Sequence, residues 1–284
     1  MSSARAFAKI NLGLVVGPAR PDGKHEIATV LVGIDLHDTV EVVPTSSRGI
    51  LVEGFEDTIV RRALSVLALH SEDTGGWQVR IEKRIPAAAG LGGGSSDAAA
   101  ALRLANELCA VPLPREELHA IASQIGSDVP FFLEDGSSLA TGDGSELVPV
   151  ALPLDLWVVL LLPSGMRKDS TATVYAEFDA RGGAVGFDER RAAFLDALGR
   201  VQDAADLAAL PRNDLVSSPL ADELVRLGAV RADVTGAGPA VYGIFEDERD
   251  AEDAARALRA HGKTWVVRPR HGLVSGSPPL GMAN

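Results

Sequence analysis

Apolar and polar positions alternate along residues 6–16 and 27–43, which predicts two strands, and Gly17, Pro18, Pro21, Asp22 and Gly23 between them predict a turn. The chain therefore opens on a hairpin. Residues 57–69 set Ile59, Ala63, Leu64, Val66 and Leu67 at helical spacing, and alternation returns over 77–81. Beyond a glycine-rich stretch, Ala98, Ala101, Leu102, Ala105, Leu108 and Cys109 share one face of a helix over about 96–109. A further helix over about 115–125 stops at Gly126, and Pro130 keeps it from continuing into the apolar segment that follows. Strands are expected up to about residue 150, with Pro149 and Pro153 bracketing a boundary. Then come a buried strand at 157–162, helices in the 190s to 220s, and a strand, glycine turn and strand over 228–246. A charged helix at 247–261 and a strand at 264–268 complete an alternation that suits a small α+β sandwich. The pattern divides the chain into 1–152, 153–272 and a tail, 273–284, which has little to bury and is expected to be mobile.

Length agrees with that division, since 284 residues give a soft expectation of two domains. With 27 Lys+Arg against 39 Asp+Glu, the net charge is −12, and such a surface repels nucleic acid and anionic lipid. The longest apolar stretch, 156–163, is far short of the roughly 20 residues of a membrane helix. Residues 1–14 lack the apolar run of a signal peptide, so no export and a cytoplasmic location are expected. The single cysteine, Cys109, can form no internal disulfide and suits a reducing compartment.

Chemistry enters with residues 87–97, Ala-Ala-Ala-Gly-Leu-Gly-Gly-Gly-Ser-Ser-Asp, which run straight into a helix. Gly90, Gly92, Gly93 and Gly94 let backbone N–H groups approach a ligand closely. Ser95 and Ser96 add hydroxyls, and the helix start adds free N–H groups and positive dipole. That combination suits phosphate. No lysine follows the last glycine as in a Walker A loop, and the spacing of dinucleotide folds is absent too.

Three separated segments, Phe7-Ala8-Lys9-Ile10-Asn11-Leu12, the loop at 86–96 and Val234-Thr235-Gly236-Ala237-Gly238, together resemble the galactokinase, homoserine, mevalonate and phosphomevalonate (GHMP) kinase superfamily. Within it, Arg20-Pro21-Asp22-Gly23-Lys24-His25-Glu26, Gly126-Ser127-Asp128-Val129-Pro130-Phe131-Phe132 and Asn213-Asp214-Leu215 resemble the branch whose substrate is a cytidine-diphosphate-linked polyol, 4-diphosphocytidyl-2-C-methyl-D-erythritol. The resemblance covers about residues 4–268. It implies an α+β fold of two domains, the first like domain 2 of ribosomal protein S5 and the second a ferredoxin-like α/β sandwich, with the substrate between them. It also implies ATP-dependent phosphorylation of the polyol's 2-hydroxyl for isoprenoid precursor biosynthesis, with Mg²⁺ on the ATP and no dedicated protein cage for the metal. The chain would work as a monomer or weak homodimer, with a small-molecule partner and neither nucleic acid nor membrane.

By the same resemblance, Lys9 and Asp128 are the catalytic pair: Asp128 takes or orients the proton of the attacking hydroxyl, and Lys9 neutralises charge at the transferred phosphoryl group. ATP would meet Asp57, Lys83, Pro86, Gly90, Leu91, Gly92, Gly93, Gly94, Ser95 and Ser96. The acceptor would meet Asn11, Lys24, His25, Thr171, Tyr175 and Gly236, with His25 at the pyrimidine edge and Tyr175 stacked on its face. The chain departs from the pattern at Lys24, where the branch usually has a second stacking tyrosine, at Phe7, where proline is usual, and at Ala88 and Ala89, where the loop usually has glycine. Two other readings compete: a sister kinase acting on homoserine, phosphomevalonate or a sugar, suggested by Lys24, and a ligand sensor that binds ATP without turnover.

Overall fold

The computed structural model describes residues 2–47, 49–53, 58–71, 76–134, 136–165 and 170–270. Two strands much longer than the pattern predicted, β1 (Ser2–Ala19) and β2 (His25–Thr45), form an antiparallel ribbon that runs through the molecule. Two pairs of strands build on the outer edge of β2. At its far half, β2 pairs with β4 (Gly76–Glu82), which carries β3 (Ile50–Glu53); at its near half it pairs with β5 (Ser137–Gly142), which carries β6 (Glu146–Val150). Pro149 is tolerated because β6 is an edge strand.

Three helices cover one face of this sheet: α1 (Thr58–His70), α2 (Gly93–Glu107) and α3 (Arg115–Ile125). Val40, Val42, Val79 and Ile81 meet Leu64, Leu67, Ala98, Leu102 and Ile121 in a dry core. The second sheet contains β7 (Trp157–Pro163), β8 (Arg231–Val234), β9 (Val241–Phe245) and β10 (Gly262–Val267). Its order, β10-β7-β9-β8, with every neighbouring pair antiparallel, is that of a ferredoxin-like βαββαβ unit. Helices α4 (Thr171–Ala180), α5 (Phe187–Gly199) and α6 (Pro219–Arg226) fill the first crossover and α7 (Glu248–Ala257) the second.

The ribbon's middle shows why simple alternation underestimates it. Residues 8–16 of β1 and 28–34 of β2 are buried throughout, because the second sheet covers the face that would otherwise meet water. Ile10, Leu12, Val30 and Val32 share a core with Val158, Leu160, Tyr242 and Phe194. The chain closes on itself where Arg270 N donates to Gly33 O across 2.8 Å.

Candidate active site

A cleft of about 1000 Å³ opens where the ribbon, the glycine loop, the start of α4 and the β8–β9 turn converge. The register of β1 against β2 slips by one residue between Asn11 and Leu14, since Asn11 pairs with Leu31 and Leu14 with Thr29. The slip brings Leu14, rather than Gly13, onto the cleft wall beside Lys9 and Asn11.

Lys9 is 4% exposed, and its Nζ donates to Asn11 Oδ1 at 2.7 Å. Its partner in charge, Asp128, reaches it from the turn after α3, Nζ to Oδ2 3.5 Å. Asn11 in turn donates through Nδ2 to Thr29 Oγ1 at 2.9 Å, and its backbone N–H donates to Thr235 Oγ1 at 3.1 Å. The ammonium is thus aimed by a chain of buried side chains on β1, β2 and the turn after β8.

The glycine loop is held from both sides. Lys9 N donates to Leu91 O at 3.0 Å, and Ala240 N, beyond the β8–β9 turn, donates to Ala89 O at 3.2 Å. Gly90 has φ +83°, and a Cβ there would stand 2.1 Å from Thr235 O. At Gly92, φ +70°, a Cβ would strike the Phe132 ring at 2.8 Å. The loop can exist only with glycine at these two places. Ala88, by contrast, accepts a φ of +56° with a side chain present, a strained conformation for alanine. α2 begins without a side-chain cap, so the N–H groups of Gly93, Gly94 and Ser95 face the cleft with no helical acceptor of their own. These donors, with the bare backbone at Gly90 and Gly92, fit the phosphates of a nucleotide. Among the described residues no cluster of three or more His, Cys, Asp or Glu is placed to hold a metal ion.

Lys83 lies on the cleft wall, with its ammonium 2.5 Å from Asp38 Oδ2 and 2.6 Å from Asp97 Oδ2, both wholly buried carboxylates. Burial pulls the Lys83 ammonium down, but the charges of Asp97 and Asp38 outweigh it and its pKa rises. This lysine anchors the loop as well as lining it. Asp38 Oδ1 also accepts from Ile85 N at 2.8 Å. Pro86 lines the cleft, and Leu91 contributes to its floor while 1% exposed. Ser96 is placed elsewhere: it is buried on the far side of α2, outside the cleft, because the helix turns it away. Asp57 lies outside the described residues.

At the other end, Ser170 caps α4 by accepting from Thr173 N at 3.0 Å, and this helix presents Thr171 and Tyr175 to the cleft. The His25 and Tyr175 rings lie 4.7 Å apart, tilted by 36°, and His25 Nε2 is 2.9 Å from Asp179 Oδ1. Burial and the nearby Asp128 charge push the Tyr175 phenol up to about 12. Lys24 reaches across the rim to Asp143 in the β5–β6 turn, whose Oδ1 accepts from Ser145 Oγ at 2.6 Å. Burial pushes the Asp143 carboxyl up, but hydrogen bonds from Lys24 and Ser145 outweigh it and hold it well below the usual carboxylate range. Gly236 closes the cleft from the second sheet, a Cβ there standing 3.6 Å from Lys9 Nζ.

Sequence reasoning missed Thr235, Asp143 and Asp179. Thr235 lay inside a quoted motif with only its glycines given a role, and the two aspartates carried no local signal. Asn213, quoted without a role, holds the β8–β9 turn by donating to Val234 O at 3.0 Å and Gly236 O at 2.7 Å.

Comparison with known proteins places these features. Residues 58–136 match the model of the GHMP kinases N terminal domain and residues 196–264 that of the GHMP kinases C terminal. The chain is 36% identical to the 4-diphosphocytidyl-2-C-methyl-D-erythritol kinase of Geobacter sulfurreducens, over 93% of this chain and 96% of that one. It is 37% identical to the kinase of the same name from Streptomyces coelicolor, over 98% and 99%. A crystal structure of 4-(cytidine 5'-diphospho)-2C-methyl-D-erythritol kinase superposes with a TM-score of 0.75 at 33% identity, covering 95% of this chain and all of that one. Methanococcus jannaschii mevalonate kinase, at 14% identity and a TM-score of 0.71, over 95% and 98%, shares the fold.

Proposed function

Because the chain belongs to the 4-diphosphocytidyl-2-C-methyl-D-erythritol kinases of the GHMP superfamily, ATP-dependent enzymes of isoprenoid biosynthesis, we propose that its Lys9–Asp128 pair transfers phosphate to the 2-hydroxyl of that polyol. The observation that carries this reading is the position of the pair. Lys9 and Asp128 meet in one cleft that also takes in the glycine loop and the His25–Tyr175 side.

When bound, ATP would supply the phosphoryl group and Mg²⁺ would offset phosphate charge. The amides of Gly93, Gly94 and Ser95 and the bare backbone at Gly90 and Gly92 hold phosphate oxygens, with Pro86, Leu91 and Lys83 along the same wall. Lys9, fixed by Asn11, offsets negative charge at the transferred group. Asp128, 38% exposed and facing the cleft, accepts or orients the proton of the attacking hydroxyl. His25 reads the pyrimidine edge and Tyr175 offers a stacking face, with Thr171 and Gly236 completing that subsite. Lys24, in place of a second aromatic face, is engaged with Asp143 at the rim. The reading includes lobes divided near 152/153, a cytoplasmic location and a monomeric or weakly dimeric state.

The test is ADP release with Mg²⁺-ATP and 4-diphosphocytidyl-2-C-methyl-D-erythritol, beside its uridine analogue, homoserine and phosphomevalonate. Selective turnover of the cytidine compound is expected. Turnover of another alcohol in its place would assign a sister activity, and ATP binding without any turnover would make the chain a sensor.

A further inference from the structure

Asp128 stands on a single turn between α3 and the short helical segment Pro130–Leu133. Its Oδ2 is 3.5 Å from Lys9 Nζ, long for a hydrogen bond, so the backbone of that turn decides where the carboxylate stands. The turn is closed from within by Val129 N, which donates to Gly126 O at 3.1 Å, and buried Val129 and Phe131 root it in the core. From outside it is held at Ser127, whose Oγ donates to Asp143 Oδ2 across 3.3 Å.

Asp143 comes from the β5–β6 turn and is itself fixed there. Its Oδ1 accepts from Ser145 N at 3.1 Å and from Ser145 Oγ at 2.6 Å, which leaves Oδ2 for groups outside the turn. Two reach it, Ser127 and Lys24. A carboxylate suits this place, since both of its oxygens accept. The two turns also touch directly. Gly144 has φ +99°, its N–H donates to Thr141 O at 2.9 Å, and a Cβ there would stand 3.5 Å from Ser127 Cβ and 3.0 Å from Ile27 Cδ1. Bare backbone at 144 lets the β5–β6 turn close on the turn that carries Asp128.

We propose that Asp143 is a positioning residue for the phosphoryl transfer: through Ser127 it sets the turn that presents Asp128 to the cleft. The inference rests on the role given to Asp128 above. Misplacing a reacting group by about 1 Å can cost about 10²-fold in rate, so a bond that holds this turn is read in kcat. Lys24 shares Oδ2 with Ser127, which ties the rim of the cleft to the same turn.

The experiment is a double-mutant cycle on the full chain, Asp143→Ala, Ser127→Ala and both together, with Mg²⁺-ATP and the cytidine-diphosphate-linked polyol. Each single variant is expected to lower kcat about ten-fold while KM for ATP changes less than about two-fold, and the double variant to fall no further than the lower single, because both remove the same bond. Hydrogen exchange without substrate is expected to quicken over 126–132 in both single variants while α2 keeps the parent's protection. Ser127→Ala, which deletes one oxygen, carries the test if Asp143→Ala loosens α2 as well. A parent kcat in the single variants, losses that multiply in the double variant, or a rise confined to the acceptor's KM overturns the proposal. A parent chain that turns over none of the alcohols overturns the function proposed above instead. Exchange then decides separately: faster exchange over 126–132 keeps the positioning of the turn, and unchanged protection there removes it.

Discussion

Nζ of Lys9 stands 3.5 Å from Oδ2 of Asp128, yet the lysine side chain is 5% exposed and the aspartate 38%. The cation is fixed by Asn11, and the carboxylate is open to the cleft. Asp128→Asn keeps shape and removes basicity, so kcat is expected to fall about 10²–10⁴-fold with little change in ATP affinity. Single-turnover kinetics beside an ATP titration check this, and a variant with the parent kcat would remove Asp128 from the chemistry.

Gly90→Ala should be far more damaging than Gly23→Ala. Both positions have positive φ, but a Cβ at Gly23 meets nothing within 4 Å, while one at Gly90 would lie 2.1 Å from Thr235 O. Thermal melts should show a loss of about 1–2 kcal/mol for Gly23→Ala and more for Gly90→Ala, together with weakened ATP binding. Ala88→Gly, which relieves a φ of +56°, should stabilise the loop by roughly 1 kcal/mol.

Lys83→Met leaves Asp38 and Asp97 buried without their shared cation. Breaking a buried pair from one side costs about 3–5 kcal/mol, so the variant should lose stability even without nucleotide. Because the folded ammonium has a raised pKa, its contribution is present below the ordinary lysine pKa and fades as pH rises through the raised one. Denaturant midpoints of the parent chain, followed into alkali, should fall accordingly. Lys83→Met should lack this part of the fall.

The chain's two tyrosines offer a spectroscopic check. Tyr175 is pushed up to about 12 by burial and by the charge of Asp128, and burial raises Tyr242 as well. Absorbance at phenolate wavelengths should show little ionisation at about pH 10, where an unfolded tyrosine is half ionised. Both phenols therefore favour the fold below that pH and cease to do so as it rises through their folded values. Half-ionisation of the native protein near pH 10 would contradict the burial that raises both phenols.

Lys24→Tyr tests the rim. A second aromatic face should tighten binding of the cytidine substrate by about 1–3 kcal/mol, read as a lower KM with kcat little changed. Unchanged KM would mean that the Lys24–Asp143 contact already does the work of the missing ring. The substitution also removes a hydrogen bond that helps hold the Asp143 carboxyl below its usual range. The stability from that group is present above the ordinary aspartate pKa and lost as pH falls through the lowered one, so the variant should lose stability at a higher pH than the parent on acidification.

Much of this was legible in the order of residues. The opening hairpin, the helix behind the glycine loop and the closing strand all follow from periodicity and turn chemistry, and the family resemblance named Lys9, Asp128 and Tyr175, which the structure brings to one cleft. The ribbon strands were drawn too short, because residues 8–16 and 28–34 are buried on both faces and show no alternation to follow. α4 was missed although Ser170 is a good cap, since its apolar face is narrow, with only Val174 and Phe178 buried. Ser96 was expected at phosphate, but a side chain in a helix's first turn points where the helix phase sends it. Partners such as Asp143 for Lys24 and Asp179 for His25 come from distant segments, and only the folded chain brings them together.

The apolar interior shared by the ribbon and the second sheet bears on how the chain is made. Synthesis delivers β1 and β2 first, while Val158, Leu160 and Tyr242, which cover Ile10, Leu12, Val30 and Val32, arrive much later. A nascent chain ending near residue 150 exposes a greasy surface until its cover emerges. The helices over the other face can settle early, so the ribosome-bound half is a one-sided scaffold, and Lys9 becomes enclosed only when the last third of the protein has been translated.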